Sequence, residues 1–416
     1  MKTSRILLFL MACTTLVSCE KETDGEFADY LVARPLTLSL EEFENSLDII
    51  APQPLKTSGK IYVYGDFIFV NEPFKGVHVI DNRDPSAPRK SGFITIPGNV
   101  DISVKDNYLF ADSLRDLVVL DISDMDNIRP VARLKDVLQD NIVWPFEADI
   151  VENGDWDPQT EILVGWEVTS ERLPVTEAEA RIFRTGDVFF AEAANADSGT
   201  GQGGSLARFK IVGDFLYAVD SHTINVFDIA DLESPQARED VFAGFDIETI
   251  FNSGDHLFLG SMRGMYIYDI SSPGSPVFVS EFQHGTACDP VVVEGDYAYV
   301  TLRGGNDCGA TESGLFIVDI SDITQPELAV SYPMDEPYGL GIRDSRLFVC
   351  DGASGLKVYD ATDVMDLQQL DHFSDIVTYD VIPLAGQLLM VGDGIIYQYT
   401  YEETGLDLLS SLSLAD

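Results

Sequence analysis

Val119-Leu120-Asp121-Ile122-Ser123 is one copy of a phrase that returns along the 416 residues of this chain. It recurs as Val79-Ile80-Asp81, Val226-Phe227-Asp228-Ile229, Tyr268-Asp269-Ile270-Ser271, Val318-Asp319-Ile320-Ser321 and Val358-Tyr359-Asp360. The Asp positions step by 40, 107, 41, 50 and 41 residues, so the two long steps are one period plus an insertion. A second phrase lies upstream of each copy. It is a Gly-Asp turn followed by alternating aromatic and aliphatic residues, as in Gly65-Asp66-Phe67-Ile68-Phe69-Val70, Gly213-Asp214-Phe215-Leu216-Tyr217, Gly254-Asp255-His256-Leu257-Phe258 and Gly295-Asp296-Tyr297-Ala298-Tyr299. Turn residues that tolerate positive φ between β-rich runs are the short-range signal of a hairpin.

A third phrase follows the Asp. Pro88, Pro235, Pro276 and Pro326 sit seven residues after their Asp, and Pro130 sits nine after. The carboxylate can accept backbone N–H groups of the next turn. The Pro then opens a strand at a sheet edge, because it has no N–H for the ladder. Each repeat therefore reads as three hairpin-linked strands plus an outer fourth. Units fall near 59–98, 99–137, 204–245, 246–287, 288–337, 338–377 and 378–414, the last degenerate, with Tyr397-Gln398-Tyr399 in place of the Asp phrase. Four-stranded units of this length stack radially, so the expected fold is an all-β, seven-bladed β-propeller over 59–416, with an insertion at 138–204. The Val-Ile-Asp and Val-Val-Leu-Asp phrases with Asp-Ile-Ser and a following Pro resemble the LVIVD repeat family. That resemblance implies a β-propeller-like fold over nearly the whole chain after residue 59 and leaves the biochemical role open.

Propeller connectivity places both insertions on one face. One is 138–204, and the other is 303–313, between the second and third strands of the fifth unit. Loops carry function more often than scaffold, so this decorated face is the candidate binding face. The large insertion holds every tryptophan, Trp144, Trp156 and Trp166, and 14 acidic residues against three Arg. Trp suits a binding rim and equally a small private core for the insertion. His284, Arg303 and Tyr338 belong to the same face. Asp101, Asp246, Asp289 and Asp380 are expected at the mouth of the central channel. Converging carboxylates can hold a divalent cation or a cationic ligand, while structural Asp residues that cap local N–H groups fit the same pattern better. Asn153, Asp155 and Asp157 start like a calcium loop but lack its Gly and final acid. No cofactor and no metal site is expected.

Cys288 and Cys308 are both expected on the decorated face, where a disulfide would staple the second insertion and contribute about 3 kcal/mol by the chain-entropy estimate. Cys350 is then a small buried residue. The chain has neither a Gly-x-Ser-x-Gly elbow nor a His-Glu-x-x-His pair. The alternative to a binding role is a hydrolase acting on glycans or peptides with channel-mouth acids.

At the N-terminus, Lys2 and Arg5 precede an apolar stretch from Ile6 to Ala12, too short to span a membrane. Leu16-Val17-Ser18-Cys19 resembles a lipobox, which implies removal of residues 1–18 and lipid on Cys19. The acidic run Glu20 to Glu26 reads as a solvated tether, within a 19–58 segment that also carries a short helix capped by Ser39 and Glu42. It also resembles an export signal, so an outer-membrane lipoprotein exposed at the cell surface is expected, with a periplasm-facing one as the alternative. The formal charge is −44, or −46 once Lys2 and Arg5 leave. Such a surface repels phosphate backbones, which argues against nucleic acid. With 45% hydrophobic residues the chain has ample material for a core. Together these features point to a cell-envelope binding or scaffold protein for a protein, small-molecule or glycan ligand.

Overall fold

The computed structural model describes residues 27–56, 59–139, 145, 148–179, 181, 202–283, 290–304 and 313–415. Among them the chain is all-β apart from two five-residue helices, Leu40–Glu44 and Val175–Glu179. The repeat phrases become antiparallel sheets in which sequential strands pair in order. The innermost strands of these sheets are Ile61–Tyr64, Ile102–Lys105, Phe209–Val212, Ile247–Ser253, Val291–Glu294, Leu340–Arg343 and Asp380–Pro383. Each lies beside the next, and the last returns to the first.

The three sequence phrases turn out to be one structural device. The first residue of each second strand lies directly opposite the Asp that ends the third: Phe67 opposite Asp81, Tyr108 opposite Asp121, Phe215 opposite Asp228, His256 opposite Asp269, Tyr297 opposite Asp319 and Arg346 opposite Asp360. The residue after each Asp then donates its N–H to a carbonyl of the Gly-Asp turn or its looser copies, as in Ile122 to Asn107, Ile229 to Asp214, Ile270 to Asp255 and Ile320 to Asp296. Each Asp carboxylate accepts the N–H two residues on, at 2.6 to 3.1 Å. The turn and the strand end are thus tied together, which fixes register within every repeat. A register shift sits between the third and fourth strands of nearly every sheet, and Pro88, Pro235, Pro276 and Pro326 lie just before the outer strand.

The core lies between sheets rather than at one centre. Second and third strands are buried on both faces, which is why they read as nearly continuous apolar runs. Ile61, Ile68, Val70 and Ile80 of the first sheet pack against Ile382, Leu389, Val391 and Ile396 of the last. The same junction is laced by polar groups. Asn82 and Gln398 exchange reciprocal amide hydrogen bonds at 2.9 and 2.8 Å. Ser410 Oγ donates to Pro85 O at 2.6 Å, and Leu55 N donates to Leu414 O at 2.7 Å. The degenerate last repeat has therefore exchanged an Asp phrase for Gln398, a closing residue.

The acidic run Glu20 to Glu26 lies outside the described residues, and the part of the N-terminal segment after it is ordered rather than tether-like. Phe27–Ser39 is a 13-residue strand. It runs parallel to Ile150–Val151 and antiparallel to Glu161–Pro174, so it lies between two strands of the insertion. The apolar alternation of Tyr30, Val32 and Leu38 gives it a buried face, with Val32 packed on Ile150 and Ala178. The Ser39 cap forms as expected: Glu42 N donates to Ser39 Oγ and Ser39 N donates to Glu42 Oε2. The helix stops at Glu44. This small sheet seats on the loops between second and third strands of the first two sheets. Phe74 packs on Gly165, and Phe43 and Ile162 pack on Leu114.

Candidate functional site

Two places on the insertion-bearing side have concentrated chemistry. The first is the belt where the inner strands begin. The sequence placed acids there, and Asp101 and Asp380 do occupy it, 3% and 0% exposed. The matching positions of the first and third sheets, however, hold Lys60 and Arg208. In the fourth sheet a register shift between Ile247 and Thr249 brings in Glu248. Asp246 is displaced by that shift and by its φ of +57, and its carboxylate is partly exposed and paired with Arg263 at 2.8 Å. The belt is a charge-compensated ring, not a set of converging carboxylates. Lys60 Nζ lies 3.7 Å from Asp101 Oδ2, and Arg208 is surrounded by Asp101, Asp112, Asp220 and Glu248.

The second finding is what fills the centre of that belt. Gly199 to Gly204 reads as a flexible lead into the third unit, yet its described end is an embedded strand. Gln202 and Gly203 pair with Val63 and Tyr62, adding a strand inside the first sheet. Gly204 N donates to Ile61 O at 3.1 Å. Ser205 donates its N–H and its hydroxyl to Asp380 Oδ1, at 3.0 and 3.1 Å, and its Oγ accepts Leu340 N at 2.7 Å. Arg208 N and Phe209 N then donate to Asp101 Oδ2 at 2.6 and 2.8 Å. One segment thus bonds to inner strands of the first, second, sixth and seventh sheets. Gly204 is required by space: a Cβ there would lie 1.6 Å from Asp380 Oδ2. Burial pulls the Lys60 ammonium down to about 7 and pushes the Asp380 and Asp112 carboxyls up to about 7 and 6. Asp112 nonetheless accepts Asn99 Nδ2, Val100 N and Asp101 N on one oxygen, at 2.8 to 2.9 Å.

An open pocket of about 380 Å³ lies at the sixth and seventh sheets, lined by Leu55, Lys56, Glu336, Tyr338, Tyr379 and Asp393 among others. Two residues expected on the binding face meet here. The Arg303 guanidinium lies 4.1 Å from the Tyr338 ring centroid, a cation–π contact. Tyr338 OH donates to Glu336 Oε1 at 3.1 Å, and the Tyr379 ring is tilted against it at 5.4 Å. Burial raises both phenols, Tyr379 to about 12. Gly352 leaves room for this group, since a Cβ there would meet Glu336 and Tyr338 at 3.0 to 3.1 Å.

Trp166 is half-buried in the sheet that the insertion forms with Phe27–Ser39, opposite Pro35, and Trp156 is half-buried in the loop before Glu161–Pro174. Asp157 caps a turn, accepting Gln159 N at 2.9 Å. Cys350 is a buried free thiol. Cys19, Trp144, His284, Cys288, Asp289 and Cys308 lie outside the described residues. Lys60 and Arg208 interrupt the recurring acids in this column, and Glu248 enters it only through the register shift, so the acid pattern does not mark them. Counting back from each second strand would have put Lys60 and Arg208 in the same column as Asp101.

The family model for the LVIVD repeat matches residues 57–94, 98–128, 248–283 and 284–333. The chain carries LVIVD repeats. These LVIVD segments coincide with the first, second, fourth and fifth sheets, and the fold is a β-propeller type. No curated protein matches the chain. Among solved structures, a putative 6-phosphogluconolactonase from Bacteroides fragilis shares 9% identity at a TM-score of 0.53, covering 88% of this chain and 95% of that one. A functionally unknown protein from Desulfotomaculum acetoxidans shares 11% at 0.51, covering 83% and 95%. The computationally designed Ika8 protein shares 11% at 0.51, covering 87% and 89%. At these identities the likeness concerns the fold alone.

Proposed function

We propose that this LVIVD protein is a seven-bladed, lipid-anchored propeller of the cell envelope that binds a partner or ligand on its insertion-bearing face without catalysing a reaction there. The ring of inner strands that returns to its start supports the blade number. The state of Asp101 and Asp380 supports binding over hydrolysis. A hydrolase needs a carboxyl free to take or give a proton at substrate. Here both are buried beneath the 202–209 segment and engaged by backbone N–H groups, a hydroxyl and a neighbouring cation. The polar and aromatic groups that line an open pocket include Glu336, Tyr338 and Tyr379, with Arg303 stacked on Tyr338, and such groups suit recognition. The lipobox-like stretch ending at Cys19 and the acidic residues after it support a lipid-anchored protein at the outer membrane, facing the surface.

The test is capture from envelope fractions by the full chain in detergent, comparing wild type with Arg303→Ser/Tyr338→Ser. Loss of a captured component from the double variant, with unchanged melting, is the expected result. Identical captured sets would sink the assignment of the pocket. For the anchor, Cys19→Ser is expected to move the protein out of the membrane fraction. Retention there would refute lipidation, and protease sensitivity on intact cells reads which side is exposed.

A further inference from the structure

We infer that a crevice on the opposite face, between the sixth and seventh sheets, binds a small anionic group, a carboxylate or phosphate monoester, carried on a short apolar body. The crevice has a volume of about 200 Å³ and is lined by Arg343, Asp344, Arg346, Phe348, Ala385 and Tyr401. Arg343 and Arg346 lie directly opposite each other across the hairpin that joins the first two strands of the sixth sheet. The two turn residues between them, Asp344 and Ser345, have φ of +51 and +58. That primed turn fixes the strands so that both guanidinium side chains leave the same side of the ladder. Like charges directly opposite each other in a sheet are unfavourable, and this chain has few cations: 26 Lys and Arg against 70 Asp and Glu.

Neighbouring carboxylates neutralise the pair only in part, and none among the described residues holds either guanidinium in a close ion pair. Arg346 spends its donors on neutral carbonyls, Glu402 O at 3.0 Å, Gly405 O at 3.3 Å and Glu403 O at 3.3 Å. Arg343 Nε is 3.6 Å from Asp344 Oδ2, whose side chain is 91% exposed, and such a loose surface pair is worth little. Asp360 lies opposite Arg346 on the next strand and feels its charge, but its Oδ1 is directed to Thr362 N and Thr362 Oγ at 2.9 and 2.6 Å rather than to the guanidinium. The apolar part of the crevice is equally well held. Tyr401 OH sits 3.0 Å from both Leu384 O and Gln387 O, and its ring lies 6.0 Å from Phe348 and 5.8 Å from the Arg346 guanidinium. The Arg343 fork, beside the fixed charge of Arg346 over a pinned aromatic ring, matches an anion with an apolar body, the Arg343 fork pairing with its oxygens, the Arg346 charge adding attraction and the body covering the ring. The volume limits the ligand to a small one, since drug-sized sites are larger.

Titrating the full chain in detergent with benzoate, phenyl phosphate and neutral benzamide, followed by the arginine side-chain NMR signals, tests this. Benzoate and phenyl phosphate are expected to shift the Arg343 and Arg346 signals saturably, more weakly as salt rises, and benzamide is not. Whichever of the two anions binds more tightly identifies the source chemistry. Arg343→Gln is expected to weaken binding about tenfold with no change in melting. Arg346 is unsuitable for this, because it clips the 402–405 turn. Arg89→Gln, which removes an exposed arginine of the first sheet, is the control for net charge. Equal shifts with benzamide, absence of saturation with both anions, or equal weakening by Arg343→Gln and Arg89→Gln would each overturn the inference.

Discussion

Asp380→Asn is expected to stabilise the fold at pH 8, and by clearly less at pH 5. The Asp380 side chain is fully buried, and burial pushes its carboxyl up to about 7. In the unfolded chain it titrates near 4, so the folded state holds an extra proton between about pH 4 and 7. Stability therefore falls as pH rises through that window. Roughly three pH units at about 1.4 kcal/mol each set a ceiling of about 4 kcal/mol above pH 7. The asparagine keeps the useful oxygen: Oδ1 takes Ser205 N, Ser205 Oγ and Val381 N, whereas Oδ2 has no hydrogen-bond partner among the described residues. Asp101→Asn is the contrast. Asp101 uses both oxygens, for Ile102 N and for Arg208 N and Phe209 N, and it faces Lys60. Its loss is expected to cost about 3–5 kcal/mol, the range for breaking a buried pair. Urea unfolding of the three proteins at pH 5 and pH 8 measures both effects. The reasoning fails if Asp380→Asn is destabilised at pH 8, or if its difference from wild type is the same at the two pH values.

Gly204→Ala is expected to lose about 3 kcal/mol or more in the same assay, because its Cβ would need to displace the Asp380 carboxylate from 1.6 Å. Asn82→Ala is expected to cost about 1–3 kcal/mol by leaving the buried Gln398 amide half-satisfied, and the loss should appear as a lower unfolding midpoint. The strand-end carboxyls predict acid sensitivity. Hydrogen bonds from Arg83, and from Ser123 and Arg129, hold Asp81 and Asp121 down at about 2. Their contribution is present above about pH 4 and is lost as pH falls towards 2, which circular dichroism during acid titration reads directly.

The repeating sheet was legible because its determinants are local. A two-residue turn with positive φ, an Asp that captures the N–H two residues on and a Pro at the sheet edge each act within one repeat, so they leave the same phrase in every copy. The Ser39 cap was legible for the same reason. The N-terminal strand was not. Its acidic start suggests a tether, and its partners stand far along the chain, as Leu31 N donating to Asp149 across 118 residues illustrates.

By itself, then, the sequence determined the repeating antiparallel sheets and the capture of the next turn's N–H groups by each strand-ending Asp. Tertiary structure decided the belt and its filling. Ser205 meets Asp380 across 175 positions, and Asn82 meets Gln398 across 316. No local pattern records such contacts, because each partner alone is an ordinary polar residue. Only the closing of the sheets brings Lys60, Asp101, Arg208, Glu248 and Asp380 into one desolvated space, where opposite charges must be matched to be buried at all. That requirement turned an expected ring of carboxylates into a neutralised one.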